Sequence, residues 1–229
     1  MFDPLEKNYS DICGGILQAA EKAGRDPGSV RLLAVSKKVP AERLRILWGL
    51  GHRLYGENRV QEARVKIPEM PAGGEWHFIG GLQTNKAKDA VEWFDVIESV
   101  DRFELAQELQ KRAEATGKNL KVLLEINVGG EAAKHGAKPE EAEELLRRVN
   151  GLSRLEVRGL MAIPPFREEP EHARPFFRKL REIRDGLEQV CGAGLPDLSM
   201  GMSHDFPVAI AEGATLVRIG TALFGPRAG

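Results

Sequence analysis

Residues 31–51, RLLAVSKKVPAERLRILWGLG, place a short apolar run directly before an amphipathic one. The first part is apolar at nearly every position before Ser36, which is typical of a strand buried on both faces of a parallel sheet. In the second part, Pro40 precedes a pattern of helical spacing that puts Leu44 and Leu47 on one side. The segment therefore predicts one β-strand followed by one α-helix.

The same order of apolar and amphipathic runs recurs along the chain. The candidate strands are residues 31–36, 53–57, 76–80, 96–100, 121–127, 157–163, 197–200 and 215–219. Their ends are spaced on average about 26 residues apart, which is the size of one βα unit, so the sequence predicts a single (β/α)8 TIM barrel with an extra N-terminal helix near residues 4–23. A doubly wound open sheet is the alternative, because alternation alone does not show closure.

Two of the predicted helices have recognisable ends. Asp101 and Glu104 have the spacing of a capping box, and Gly117 is a suitable helix stop. Residues 171–191 carry the longest apolar stripe of helical spacing. We therefore expect helices over these two segments.

Composition and charge exclude several classes of protein. Among 229 residues, 33 Lys and Arg face 34 Asp and Glu, which argues against a broad basic surface for nucleic acid. The hydrophobic content of 42% suffices for a core, while no apolar run approaches the roughly 20 residues that span a bilayer. There is no secretory pattern, no linker, and no CxxC spacing around Cys13 or Cys191. We expect residues 1–229 to form a single domain of a cytoplasmic protein.

Lys37 is the first candidate functional residue. It follows the apolar run LLAVS, so its amine would lie over the mouth of the barrel, where functional groups gather. Burial lowers the pKa of a lysine, and a neutral amine can attack an aldehyde to form a Schiff base. A lysine that merely reaches solvent at a strand end is the alternative. The neighbouring Lys38 should point the other way by strand alternation.

A phosphate site is predicted after the last two strands. In 200-MGMSHDF-206, Ser203 is placed as the N-cap of a helix, whose N-terminal N–H groups suit an anion. Gly220 and Thr221 directly follow the last strand, and glycine allows close approach of an oxyanion to the backbone. Loops after strands seven and eight often bind phosphate in barrels. Two ordinary βα turns are the alternative.

A reactive lysine beside a phosphate site favours pyridoxal 5′-phosphate (PLP), with a Schiff-base aldolase for sugar phosphates as the alternative. Arg218 ends the last strand, where it could face a ring nitrogen, keep it unprotonated and weaken the cofactor as an electron sink. A salt bridge to Glu57 or a neighbouring acid is the other interpretation of Arg218. The five histidines show no metal-ligand spacing, so no metal is expected.

Six segments in this order resemble the pyridoxal phosphate homeostasis proteins: 33-LAVSK-37, 56-GENRVQE-62, 76-WHFIGGLQTNK-86, 159-GLMAI-163, 200-MGMSHD-205 and 217-VRIGTALFG-225. The resemblance covers about residues 5–226. The family is known as a single-domain barrel similar to the N-terminal domain of bacterial alanine racemase. The resemblance therefore implies the same barrel, with PLP as the cofactor.

The resemblance also implies roles for individual residues. Lys37 matches the lysine that holds PLP as a Schiff base, and Arg218 matches the arginine that faces the pyridine nitrogen. The phosphate-binding positions are matched by Ser203, Gly220 and Thr221. Asn58 and His77 match two further positions near the cofactor. Met161 and Met200 match two apolar positions of the pocket wall.

The sequence departs from the family pattern at Gly81, where a bulkier residue or proline is more common, and at Lys38, where a small hydroxyl residue is common. Lys134 and Gly136 keep the family's Lys-x-Gly. A lysine near the mouth could pass PLP on, but we favour a surface charge for Lys134.

The resemblance implies binding and buffering of PLP and its delivery to apo-PLP enzymes, without turnover. Alanine racemase uses two opposed bases, one of them a tyrosine from a second domain. This chain has only Tyr9, in the leading helix, and Tyr55, within the second strand. We expect a monomeric PLP-binding protein that is not an enzyme; a weak PLP-dependent amino-acid racemase is the alternative.

Overall fold

The computed structural model describes residues 4–131, 135–192 and 194–226. Its strands are β1 Arg31–Val35, β2 Leu54–Glu57, β3 Glu75–Phe78, β4 Val96–Val100, β5 Leu120–Glu125, β6 Leu155–Met161, β7 Asp197–Met202 and β8 Leu216–Ile219. Its α-helices are α1 Pro4–Lys22, α2 Ala41–Gly49, α3 Val60–Lys66, α4 Ala87–Trp93, α5 Phe103–Thr116, α6 Ala142–Asn150, α7 Arg174–Cys191, α8 Phe206–Ala211 and α9 Thr221–Phe224. Every strand is thus followed by a helix, and α1 precedes the first strand.

The strands form one closed barrel in the order β1 to β8. Closure comes from the parallel pairing of β8 with β1, in which Leu216 lies opposite Arg31 and Ile219 lies opposite Ala34. Because the first and last strands are paired, the sheet has no edge strand. The predicted (β/α)8 barrel with its N-terminal helix is confirmed, and the doubly wound open sheet is excluded.

Each strand is buried on both faces, which explains the near-continuous apolar runs in the sequence. Leu33 and Val35 point into the barrel and pack with Ile79 and Leu216. Ala34, between them, belongs to the larger core between the strands and the helices, the outer core. Full burial of one leucine side chain stabilises the fold by roughly 1.5–3 kcal/mol. Both cores therefore contribute to a rigid frame for the strand ends.

The longest helices, α1 and α7, cover the barrel from outside. Helix α7 buries Phe177, Leu180 and Leu187, as its predicted apolar stripe requires. Helix α1 contacts α8 and α9. Of the helices in the described part of the chain, none is both long enough and apolar enough to cross a membrane.

The predicted capping box at the start of α5 is wrong. Arg102 occupies the N-cap without a side-chain cap, and the Asp101 carboxylate instead accepts a hydrogen bond from the Arg102 guanidinium. A charged neighbour therefore outcompetes the backbone N–H groups for this carboxylate. The predicted stop is confirmed, because Gly117 ends the helix with φ 69°.

The predicted N-cap role of Ser203 is also wrong. Helix α8 begins at Phe206 with Asp205 in the N-cap, and the Asp205 carboxylate accepts a hydrogen bond from the Met202 N–H at 2.7 Å. This contact folds residues 203–205 into a turn before the helix. The Ser203 hydroxyl is thereby directed at the neighbouring loop instead of at α8.

Candidate functional site

The carboxyl ends of the strands surround a cavity of about 410 Å³, within the range of roughly 300–1,000 Å³ that is usual for small-molecule sites. The lining residues are Val35, Lys37, Asn58, Ile79, Gly80, Gly81, Glu125, His135, Ile163, Phe166, Met202, Ser203, His204, Arg218, Gly220 and Thr221. They include these six predicted site residues: Lys37, Asn58, Ser203, Arg218, Gly220 and Thr221. The barrel therefore brings most of the predicted site together in one place.

Lys37 is half-buried and lies just beyond the end of β1. The chain turns after it, because Lys38 has φ 58°, in the left-handed region. The Lys38 N–H donates to the Glu62 carboxylate at 2.7 Å, which fixes this turn. The Lys38 side chain is exposed. The two adjacent lysines therefore differ in environment, and Lys37 is the one that lines the central cavity.

A buried ion pair supports the backbone that carries Lys37. The Lys66 ammonium donates to the Ser36 carbonyl at 2.7 Å and forms an ion pair with the Glu57 carboxylate. The Ser36 hydroxyl donates to the same carboxylate at 2.7 Å. Burial raises the pKa of Glu57, although Lys66 and Ser36 oppose this effect. Sequence analysis missed Lys66 because it joins the cluster only through the packing of α3 on β2.

The loops after β7 and β8 meet at the cavity, as the predicted phosphate site requires. The Ala222 N–H donates to the Ser203 hydroxyl at 3.2 Å, which links the two loops. Gly220 is buried between β8 and α9, whereas Thr221 is exposed. Hydroxyl and backbone groups are thus grouped on one side of the cavity, next to the turn that carries Lys37, because β8 pairs with β1.

Arg218 lies inside the barrel with only 4% of its surface exposed. Its guanidinium donates to the Ser199 hydroxyl at 2.7 Å and to the Ala162 carbonyl at 2.8 Å. The interpretation of Arg218 as a salt-bridge partner of Glu57 is wrong, since Glu57 pairs with Lys66. The guanidinium is held by neutral acceptors on β7 and after β6, and it lines the cavity.

Glu125 is a residue of the cavity wall that sequence analysis missed. It ends β5, is nearly buried, and lines the cavity together with Arg218. Burial, reinforced by the charge of Asp101, raises the pKa of the Glu125 carboxyl to about 7. Its position within 123-LLEIN-127, near the end of the predicted strand, was visible in the sequence, but its burial depends on barrel closure. Glu125 is the carboxyl group of this cavity that titrates near neutral pH.

Two glycines shape the rim of the cavity after β3. A Cβ on Gly80 would lie 2.5 Å from the Asn58 carbonyl, so glycine allows the loops after β2 and β3 to approach. A Cβ on Gly81 would lie 2.6 Å from the His135 ring. The imidazole thus fills the space that a bulkier residue at position 81 would need. Lys134 itself lies outside the described residues.

Three predicted site residues lie away from this cavity, which corrects their placement. Residues two apart on a strand share a face. His77 lies two residues before Ile79, and Met161 lies two residues before Ile163. Because Ile79 and Ile163 line the cavity, His77 and Met161 lie one layer deeper in the barrel. His77 lines a second cavity at the amino ends of the strands. Met200 follows the inward-facing Ser199 and packs in the outer core.

Neither tyrosine reaches the carboxyl-end cavity. Tyr55 is fully buried in the outer core, stacks on Trp76 and donates to the His52 carbonyl at 3.1 Å. Tyr9 lies on α1 beside a groove that includes Arg31, at the start of β1. A tyrosine base of the kind that a racemase uses is therefore absent from the described walls of the cavity.

Comparison with known proteins extends these observations. Residues 17–228 match the family model for the alanine racemase N-terminal domain. The pyridoxal phosphate homeostasis protein of Aquifex aeolicus is 52% identical over 222 residues, covering 96% of this chain and 97% of that protein. That of Pseudomonas aeruginosa is 44% identical over 226 residues, covering 97% and 96%.

Solved structures agree with this relation. PipY of Synechococcus elongatus, solved with PLP bound, is 38% identical and has a TM-score of 0.80, covering 92% of this chain and 100% of that one. Alanine racemase of Clostridium difficile, at 16% identity and a TM-score of 0.77, covers 100% of this chain and 58% of that chain, and shares the fold. The chain belongs to the pyridoxal phosphate homeostasis protein family, within the alanine racemase N-terminal domain group.

Proposed function

We propose that this protein binds PLP at the carboxyl-end cavity and takes part in PLP homeostasis by binding, buffering and delivering the cofactor. The observation that carries the proposal is the convergence of Lys37, Arg218 and the Ser203 and Gly220–Thr221 loops on one cavity. Membership of the family and the PLP-bound structure of PipY support the same cofactor. The functional unit proposed is the single domain of residues 1–229.

The residues of the cavity match three parts of PLP: its aldehyde, its phosphate and its pyridine nitrogen. The cofactor supplies an aldehyde that forms a covalent link with a lysine amine. Lys37 would provide that amine, and the paired loops at Ser203 and Thr221 would hold the phosphate through hydroxyl and backbone groups. Arg218 would face the pyridine nitrogen and hold it unprotonated, since a guanidinium only donates hydrogen bonds. Asn58, just after β2, would contact the cofactor from the part of the rim beside Lys37, since β1 and β2 are paired.

We further propose that the protein does not turn over amino acids efficiently. An arginine at the ring nitrogen weakens PLP as an electron sink, and both tyrosines lie outside the cavity. One observation favours the alternative of a weak amino-acid racemase: Glu125 lines the cavity with a carboxyl whose pKa is raised to about 7. A group that titrates near neutral pH is suited to move a proton.

An absorption spectrum of the purified protein, with and without added PLP, tests the cofactor. We expect a band near the visible edge that borohydride fixes covalently at Lys37 and that Lys37→Ala abolishes. Lys38→Ala is the matched control, because that neighbouring lysine is exposed, and it should keep the band. A protein that stays colourless with added PLP would contradict the cofactor assignment. It would favour the alternative of a cofactor-free aldolase that binds a sugar phosphate directly.

A chiral assay with alanine and serine separates the carrier from the weak enzyme. We expect no racemisation above that of free PLP. Racemisation well above this background, lost in both Lys37→Ala and Glu125→Gln, would establish the racemase with Glu125 as one of its acid–base groups.

Delivery is tested by mixing PLP-loaded protein with an apo-PLP enzyme. Transfer should be faster than release of PLP on dilution, whereas equal rates would leave only binding and buffering. Light scattering of the PLP-loaded protein alone tests the expected monomer. The cytoplasmic location stays a prediction.

A further inference from the structure

A row of polar side chains crosses the interior of the barrel between its two cavities. Its inner members, His77, Glu98, Ser199 and Arg218, are each at most 4% exposed. They come from β3, β4, β7 and β8. Apolar residues such as Leu33, Val96 and Leu123 pack in the interior around them. Four buried polar groups in an apolar interior need partners, and they find these in one another.

The contacts form a continuous chain. His77 Nε2 lies 2.7 Å from a Glu75 oxygen, and His77 Nδ1 lies 2.5 Å from Glu98 Oε1. The other Glu98 oxygen, Oε2, is 2.5 Å from the Ser199 hydroxyl. That hydroxyl is 2.7 Å from Arg218 Nη1. The chain therefore joins Glu75, at the amino-end cavity, to Arg218, at the carboxyl-end cavity.

The donors and acceptors along this chain have a fixed order. A guanidinium only donates, so Arg218 donates to the Ser199 hydroxyl, which is left to donate its own proton to Glu98. Each ring nitrogen of His77 faces a carboxylate oxygen, so both nitrogens carry protons and the ring is positive. Burial favours the neutral ring, but the hydrogen bonds to Glu75 and Glu98 outweigh it and raise the pKa of His77.

The charges along the chain consequently alternate in sign, from Glu75 through His77 and Glu98 to Arg218. The carboxylates of Glu125 and Asp205 also act on Arg218 electrostatically, but neither forms a hydrogen bond with it within the described residues. The Ala162 carbonyl takes the second guanidinium nitrogen, Nη2. Two of the three guanidinium nitrogens are therefore fixed by the protein before any ligand is present.

A buried row of charges is an expensive way to fill a barrel, because well-packed apolar residues are often equally or more stabilising. What the row does provide is a guanidinium that is charged, oriented and unable to swing away from the cavity. We propose that Ser199 and Glu98 are positioning residues for Arg218, and that His77, paired with Glu75, supplies the positive charge that keeps Glu98 ionised beneath it. The role toward the cofactor rests on the proposed PLP site; the chain itself rests on the contacts above.

Nuclear magnetic resonance of the cofactor-free protein tests the charge on His77 without reference to PLP. In the wild type, both ring nitrogens should be protonated at pH 7. In Glu98→Gln the pKa of His77 should fall, because the negative partner is lost while burial remains. A neutral His77 ring in the wild type at pH 7 would overturn the proposal, whether or not PLP binds.

Titration with PLP tests the positioning of Arg218. Ser199→Ala should weaken PLP binding about tenfold, the usual worth of one hydrogen bond to a charged group, and should shift the pH midpoint of the visible band. Ser199→Thr keeps the hydroxyl and should restore both. Met200→Leu is the matched control on the same strand, since Met200 packs in the outer core, and it should change neither.

A double-mutant cycle separates positioning from general support of the fold. In an Arg218→Ala background, Ser199→Ala should have no further effect on PLP affinity, because its effect passes through the guanidinium. Additive losses, or a Ser199→Ala spectrum equal to that of Met200→Leu, would overturn the proposal. A wild type that shows no PLP band would refute the proposed function. The His77 measurement would then still decide whether the hydrogen-bonded row from Glu75 to Arg218 is charged as proposed.

Discussion

The amino ends and the carboxyl ends of the same eight strands carry charged groups in contrasting arrangements. At the amino ends, Arg31 lies 3.4 Å from both Glu75 and Asp197, and Arg158 lies 3.6 Å from Asp197. These paired residues line a cavity of about 220 Å³. At the carboxyl ends, Lys37, Glu125 and Arg218 line a larger cavity of about 410 Å³. The two arginines at the first end are paired with acidic neighbours, whereas the charged groups at the second end converge on a space for a ligand.

This difference separates stability from function along the axis of the barrel, as is general for such folds. The amino-end pairs are partly exposed and screened by solvent, so each contributes little. At the carboxyl end Glu125 and Arg218 are buried, and burial raises the pKa of Glu125. Substitutions at the two ends should therefore differ in size and in kind.

The largest effect should come from Glu57→Ala, beneath Lys37. This change leaves the Lys66 ammonium buried without its main carboxylate, which typically costs about 3–5 kcal/mol of unfolding free energy. Urea unfolding followed by circular dichroism measures this loss. Glu69→Ala is the control, because Glu69 is exposed and 3.6 Å from Arg45. A loss below about 1 kcal/mol for Glu57→Ala would mean that Glu62 takes over as the partner of Lys66.

The next largest effect concerns the dependence of stability on pH at Glu125. The folded-state pKa is raised to about 7 from an ordinary value of 4.5, so the folded protein holds a proton that the unfolded chain has lost. This contribution to stability falls as pH rises from about 4.5 to about 7 and is fully lost above that range. Glu125→Gln should remove the penalty, which is up to about 3 kcal/mol at pH 8.

Urea unfolding of the wild type and Glu125→Gln at several pH values between 5 and 8 measures this difference. The gap in unfolding free energy should open as pH rises. A gap that is constant with pH would show that Glu125 is ionised throughout, and that the cavity is better solvated than its burial indicates.

The barrel itself was predictable because its signal is local. The runs RLLAV and LLEIN are largely apolar because both faces of their strands are covered. The structure places these strands within two residues of the predicted bounds. Lys37, Ser203 and Gly220 were predictable as neighbours in space for the same reason: each directly follows a strand, and parallel strands end on the same side.

Other parts of the site depend on contacts between distant elements. Strand parity could have placed Met200 outside the barrel, since it adjoins the inward-facing Ser199, but parity needs one known inward residue as a reference. The partners Lys66 and Glu57, or Glu98 and Ser199, meet only when helices pack and the barrel closes. Likewise, the raised pKa of Glu125 follows from burial that no local pattern in the sequence reveals.

A smaller effect is expected on ligand binding, and it sharpens the same contrast. Above about pH 7 the ionised Glu125 carboxylate would repel the phosphate of PLP inside the cavity. PLP affinity should therefore fall roughly three- to tenfold between pH 6 and pH 8 in the wild type. Glu125→Gln should flatten this dependence relative to the wild type. Equal pH profiles for the two proteins would show that the charge of Glu125 does not reach the phosphate held at the loops of Ser203 and Thr221.

The smallest effect should follow from Arg31→Ala at the amino end. Its two ion pairs, at 3.4 Å, involve a guanidinium side chain that is 45% exposed, and exposed pairs contribute about 0.2–1 kcal/mol each. Urea unfolding should show a loss of this size that shrinks in high salt, and PLP affinity should stay unchanged. Because Glu75 is also the last carboxylate of the internal chain, a changed PLP spectrum in Arg31→Ala would show that the charge of Glu75 is felt across the barrel. The contrast between the two ends would then be one of degree, since the amino end would also influence the site.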